Sequence, residues 1–80
     1  MAVGFAQDIR PLFTDLDVAH MRHQLVKLDD FDYMRNPHHA ERVLKAVSTG
    51  KMPPRRSGEP VWPPETVQLF RDWMDGGYQP

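Results

Sequence analysis

Five of the eight prolines in this chain lie between Met52 and Pro64, and this cluster restricts the fold more than any other feature of the sequence. Proline lacks the backbone N–H that the interior of a helix or a central strand requires, so the segment is predicted to be an ordered loop. On both sides of it apolar residues recur at helical spacing, and no stretch alternates apolar and polar residues as a half-buried strand does. We therefore predict an all-α fold.

Capping residues divide the chain into short helices. The predicted helix starts are Asp8, Thr14 with Asp17 as a capping box, Asp29 or Asp30, Asn36 with Pro37 in the first turn, and Pro63-Pro64. Glycines mark two predicted ends, Gly50 for the helix that follows Asn36 and Gly76-Gly77 for the last helix. We expect four to five short helices in a single domain over residues 1–80, because eighty residues are too few for a second core.

Composition excludes several kinds of site and partner. The chain has no cysteine, which rules out disulfides, cysteine-ligated zinc, iron–sulfur clusters and thioether-linked haem. Ten Lys and Arg residues against eleven Asp and Glu residues give a net charge of -1, without the long basic run typical of nucleic-acid or membrane-binding segments. The chain as given also shows no signal peptide and no transmembrane segment. We expect neither nucleic acid nor a membrane as its partner.

No combination of residues predicts catalysis. Most carboxylates lie at predicted helix starts, where capping and the helix dipole explain them. The hydroxyl residues lie in no nucleophile motif, and the five glycines are spread over turns rather than gathered in a phosphate-binding loop. The sequence therefore predicts a protein that is not an enzyme.

His20 and His23 are three residues apart and share one helix face, with Met21 beside them. Imidazole and thioether groups are suitable copper ligands, so these residues with Met21 or Met52 form a candidate soft-metal site. The alternative is that the histidines are surface residues and the methionines fill gaps in the core.

Within the proline-rich loop, Arg55 and Arg56 form a small basic tip that is followed by Trp62, the only aromatic residue of the loop. Arg and Trp are enriched at binding hot spots, which makes Arg55, Arg56 and Trp62 a candidate partner-binding surface. The alternative is that Trp62 folds back over the core and the arginines are solvated.

Four segments together resemble a small class I cytochrome c domain in their order and spacing over nearly the whole chain. They are Asp8-Ile9-Arg10-Pro11-Leu12-Phe13, Leu28-Asp29-Asp30-Phe31, Gly50-Lys51-Met52-Pro53-Pro54, and Trp62-Pro63-Pro64-Glu65 through Trp73-Met74-Asp75-Gly76-Gly77. The resemblance implies that the C-terminal helix crosses the first helix and that Met52 matches the distal haem ligand. The family's Cys-x-x-Cys-His motif falls on residues 17–21, with Asp17 and His20 in place of the cysteines and Met21 in place of the ligand histidine.

The resemblance implies a cytochrome c-like fold in which side chains replace the haem. Our leading hypothesis is a haem-free structural or protein-interaction module, without a cofactor, whose partner is another protein or a larger parent polypeptide. The alternatives are an electron carrier that binds haem noncovalently through Met52 with Met21 or His20, and the copper binder described above. Met21, Met34, Phe31, Tyr33 and Trp62 are the side chains expected to fill the haem space.

Overall fold

A computed structural model describes residues 3–53 and 58–80 of the chain. In these ranges a short N-terminal helical segment precedes four α-helices, which are α1 Asp15–Arg22, α2 Phe31–Met34, α3 Pro37–Ser48 and α4 Pro64–Asp75. The described β structure is one isolated bridge between Gly4 and Gln79. The prediction of an all-α fold is confirmed.

The N-terminal segment starts earlier than the sequence predicts. It consists of a π-helical turn, Phe5–Ile9, and a 3-10 turn, Arg10–Leu12, with Gly4 rather than Asp8 as the N-cap. Asp8 lies inside the first turn, where its Oδ2 accepts a hydrogen bond of 2.8 Å from the Gly4 N–H. The extra turn is held by tertiary contacts, because Phe5 is buried and its ring lies 5.6 Å from that of Trp73.

The other predicted starts are confirmed, with Asp30 rather than Asp29 as the cap of α2. Thr14 and Asp17 form the capping box of α1, and the side chains of Asp30 and Asn36 accept backbone N–H bonds at the starts of α2 and α3. Proline begins both α3 and α4, where the first-turn N–H has no helical partner in any case. These ends are formed by local hydrogen bonds, which is why sequence spacing predicts them.

The core lies between α3, α4 and the N-terminal segment. Buried apolar side chains come from every element and from the connections; they are Phe5, Ile9, Phe13, Val18, Leu28, Met34, Ala40, Val43, Val47, Met52, Phe70 and Trp73. Of the side chains expected to replace haem, Met34 is fully buried, and Met21, Phe31, Tyr33 and Trp62 pack against the core while partly exposed. No described helix is long and apolar enough to cross a membrane.

The Gln79 carbonyl joins the two ends of the described chain. It accepts hydrogen bonds from the Phe5 N–H at 2.9 Å and from Nε1–H of Trp73 at 2.8 Å. Gly77 makes the turn before it with a φ of 93°, in the left-handed region that favours glycine. Tyr78 then packs edge-on against Trp73, and its partial burial, with Glu41 and Asp75 nearby, raises the pKa of its phenol.

Candidate functional site

A cleft of about 320 Å³ opens between the start of α1 and the segment that leads into α4. We call it the Trp62 cleft; its lining includes Leu12, Thr14, Asp17, Glu59, Val61, Trp62 and the prolines at 53, 60 and 63. Pockets for small ligands span about 300–1,000 Å³, so this cleft has room for a side chain or a small ligand.

Trp62 forms one wall of the cleft and is held there by the core. Its ring lies 5.4 Å from the Phe13 ring and 6.2 Å from the Phe70 ring. The residue is only partly buried, and Val61 beside it is exposed. Trp62 thus folds back over the core, as the second of the two arrangements considered from the sequence has it. Its contacts with Phe13 and Phe70 hold this wall of the cleft in place.

Asp17 is a polar residue within the cleft, and it is almost completely buried, with 3% of its surface exposed. Its Oδ2 accepts the Thr14 N–H at 3.2 Å, as the capping box requires. Its Oδ1 is buried and has no hydrogen-bond partner within residues 3–53 and 58–80. A buried acceptor without a partner costs about 1–3 kcal/mol, and more when it is charged.

Thr14 connects this carboxylate to the other side of the cleft. Its Oγ1 accepts the Asp17 N–H at 3.1 Å and donates to Oε1 of Glu59 at 2.8 Å. The hydrogen bond to Glu59 links the start of α1 to the loop before α4. Two carboxylates therefore line one cleft, and one threonine fixes their relative position.

A second, smaller cavity of about 50 Å³ adjoins Met52. We call it the methionine cavity; its lining includes Met21, Val26, Tyr33, His39, Val43 and Met52. Gly50 has a φ of 80° and turns the chain back at the end of α3, and the Met52 N–H donates to the Ala46 carbonyl at 3.1 Å. This turn packs Met52 into the core, where 3% of its surface is exposed.

The methionine cavity does not fit a haem. Its volume is far below the roughly 300–1,000 Å³ of pockets that hold drug-sized ligands, and a porphyrin is not smaller than such a ligand. Haem binding between Met21 and Met52 would require the elements around the cavity to separate.

The structure brings together some of the sequence-predicted site residues and separates others. Met21 and Met52 line the methionine cavity, but His20 does not and is exposed, with its Nε2 3.3 Å from Nε2 of Gln24. His23 is also exposed. Trp62 lines the other cleft, and Arg55 and Arg56 lie outside the described residues. In the described part of the chain, no three His, Asp or Glu residues are grouped as metal ligands would be.

Sequence reasoning missed two residues of these sites. His39 stacks on Tyr33, with ring centroids 3.8 Å apart, and its Nδ1 lies 2.7 Å from the Tyr33 carbonyl oxygen. The sequence predicts Asp17 as a capping residue and matches it to a cysteine of the resembled motif, but does not predict it in a cleft. The capping box did predict one hydrogen bond of Asp17, whereas the burial of its second oxygen is not part of the capping pattern.

Comparisons with protein-family models, with curated proteins and with solved structures gave no significant match to this chain. The function proposed below therefore rests on the geometry of the two sites and on the sequence resemblance.

Proposed function

We propose that this chain is a haem-free, cytochrome c-like module that binds another protein, or another part of a larger polypeptide, through the Trp62 cleft and has no catalytic activity of its own. The observation that carries the proposal is the difference in volume between two cavities. The cleft beside Trp62 measures about 320 Å³, whereas the cavity beside Met52, the position of the distal haem ligand in the resembled family, measures about 50 Å³.

The haem-free part of the proposal is supported by how Met52 and its neighbours are packed. Met52 is as well buried as the core residue Phe13, so its side chain contributes to the core as an apolar group. Phe5 on the N-terminal segment contacts Trp73 on α4, a contact compatible with the crossing of first and last helices that the resemblance implies.

The binding part of the proposal is supported by the composition of the cleft. It combines a tryptophan wall, an exposed valine and three prolines with a few polar groups, and such mixtures are typical of recognition sites. The prolines limit the backbone freedom of the loop, which reduces the entropy that the loop loses when a partner binds.

Site-specific photocrosslinking in the native host tests this proposal. A benzophenone amino acid at the exposed position Val61 should give a discrete adduct with one protein, identifiable by mass spectrometry, because this position lines the cleft. The same amino acid at Lys45, which is exposed on α3 and does not line the cleft, is the matched control. Adducts that are absent, or identical at both positions, would contradict docking at the cleft.

A second candidate function is binding of a single Cu(I) ion in the methionine cavity. Two thioethers, Met21 and Met52, line it together with His39, and a cavity of about 50 Å³ is large enough for one ion. The Tyr33 carbonyl can only accept, so Nδ1 of His39 donates to it, and Nε2 is the ring nitrogen left to bind a metal. The histidine of this candidate site is His39, whereas the sequence suggested His20 and His23.

Competition for Cu(I) against a chromogenic chelator separates the two candidate functions. One equivalent bound by the native chain, lost in Met52→Leu and in His39→Phe but kept in His20→Phe, would establish the copper site. Equal competition by the native chain and the Met52→Leu variant would eliminate it.

A further inference from the structure

Most of the described residues that line the methionine cavity have side chains without a strong hydrogen-bonding group. They are Met21, Val26, Val43, Ala46 and Met52. A buried water molecule typically makes about three hydrogen bonds to polar groups, so an apolar cavity holds water poorly and binds apolar molecules instead. The lining therefore indicates a site for an uncharged, apolar ligand.

The polar residues of the lining offer little to a ligand inside the cavity. Nδ1 of His39 and the Tyr33 carbonyl are bonded to each other at 2.7 Å. Arg42 is exposed, so its guanidinium keeps its contact with bulk water. A charged or strongly polar ligand would lose its own water on entering the cavity and regain few hydrogen bonds there.

We propose that the methionine cavity binds an uncharged apolar molecule of about two or three heavy atoms, the class to which dissolved dioxygen belongs. The inference goes beyond the docking function and the copper candidate, because this ligand requires neither a partner protein nor a metal. It rests on the lining of the cavity together with its size.

The size of the cavity sets the size of the ligand. A water-sized sphere needs about 10–15 Å³ of such volume, so the cavity of about 50 Å³ has room for a few atoms. Apolar cavities of about 150 Å³ in other proteins bind benzene or xenon. The methionine cavity is far smaller, so we expect it to accept a single large atom or a diatomic molecule and to exclude an aromatic ring.

The cavity borders the surface of the molecule. Its partly exposed lining residues are Met21, Val26, Tyr33 and Ala46, whereas Val43 and Met52 are each only 3% exposed. Met21 and Val26 lie on either side of the turn that ends α1, where the Val26 N–H donates to the Met21 carbonyl at 2.9 Å. A small molecule therefore reaches the cavity from solvent past its partly exposed residues.

Xenon binding to the full chain, labelled with ¹³C at the methionine methyl groups, tests the inference by NMR. The methionines provide matched controls. Met52 and Met34 are both buried, but Met34 does not line the cavity; Met21 and Met74 are both partly exposed, but Met74 does not line it. With rising xenon pressure we expect saturable shifts at Met21 and Met52 that are at least fivefold larger than those at Met34 and Met74. Equal shifts at the four methyl groups, or no saturable shift, would overturn the inference.

Benzene and dioxygen test the size and the class of the ligand. Benzene up to its solubility limit should give no saturable shift at Met21 or Met52, and benzene binding equal to xenon binding would overturn the inference. Dioxygen is paramagnetic, so it should broaden the Met52 methyl signal at least threefold more than the Met34 signal, with nitrogen at the same pressure as the diamagnetic control. Equal broadening of the two signals would show that dioxygen has no preference for the cavity and would also overturn the inference.

Two substitutions localise the binding. Ala46→Leu adds carbon atoms at a lining position on α3, whereas Ala19→Leu makes the same change at an exposed position of α1 outside the cavity. Ala46→Leu should reduce the xenon shift at Met52 at least fivefold, and Ala19→Leu less than twofold; equal effects would overturn the inference. If Ala46→Leu fails to fold by circular dichroism, the comparison of Met52 with Met34 in the native chain decides. A discrete crosslink at Val61 without any xenon response would leave the docking function standing and refute this inference alone.

Discussion

Replacing Met52 with alanine would remove a side chain that is 97% buried and already borders a cavity of about 50 Å³. Truncation of a buried methionine costs about 2–5 kcal/mol, and the cost grows with the volume of the cavity that is left. Because the new void joins an existing one, little collapse of the surroundings is expected. The cost should therefore lie in the upper part of this range, about 3–5 kcal/mol.

That loss is large relative to the total stability of the chain. At about 0.05–0.15 kcal/mol per residue, eighty residues correspond to a free energy of unfolding of roughly 4–12 kcal/mol. Met52→Ala is therefore expected to lose at least about a quarter of this free energy of unfolding. Met52→Leu keeps the volume and removes only the sulfur, so it should cost less than about 1.5 kcal/mol.

The free energy of unfolding of both variants is measured by urea unfolding, monitored through the fluorescence of Trp62 and Trp73. Near-ultraviolet circular dichroism checks their tertiary packing. Met21→Ala is a useful comparison, because Met21 lines the same cavity but is only partly buried and should cost less than Met52→Ala. A cost below about 0.5 kcal/mol for Met52→Ala would refute the reasoning, since only surface substitutions are that mild.

Three further predictions concern positions away from Met52. Thr14→Ala should lower the free energy of unfolding by about 1 kcal/mol, because α1 loses its cap. The control Thr49→Ala, at the exposed end of α3, should change it by less than about 0.5 kcal/mol. Similar urea midpoints for the two variants would contradict this prediction. Because burial raises the pKa of Tyr78 in the folded chain, the unfolded chain loses its phenolic proton first, and stability should fall as the pH rises above the ordinary value of 10.0. The free energy of unfolding of the Tyr78→Phe variant should fall less steeply over the same pH range, measured by urea unfolding at several pH values. Parallel curves for the two proteins would refute the assignment of this pH dependence to Tyr78. Gly77→Ala should cost about 1–2 kcal/mol because its φ is 93°, and an unchanged thermal midpoint would show that this turn can relax.

Local hydrogen bonds made much of the fold predictable. The Thr14 capping box, the Asn36 cap and the glycine turn at Gly50 each involve residues within a few positions of one another, so their spacing in the sequence is sufficient evidence. The early start of the first helical turn is different. It depends on contacts of Phe5 with the far end of the chain, which no local pattern encodes.

The candidate sites were predictable only in part, for the same physical reason. The resemblance makes Met52 a candidate site residue, but the sequence does not show that its side chain packs into the core. Asp17 was recognised as a cap, and a capping pattern accounts for one carboxylate oxygen only. The burial of its second oxygen depends on tertiary packing that the pattern does not encode, and His39 joins the methionine cavity through packing on Tyr33.

The central claim is that this fold is complete without haem, and a haemin titration of the purified native chain and the Met52→Leu variant tests it most directly. The account predicts cooperative unfolding with a near-ultraviolet dichroism signal before any haemin is added, and a weak, nonstoichiometric change of the Soret band that is the same in both proteins. A sharp one-to-one Soret shift with low-spin bands in the native chain, lost in Met52→Leu, would contradict the account and identify Met52 as a haem ligand.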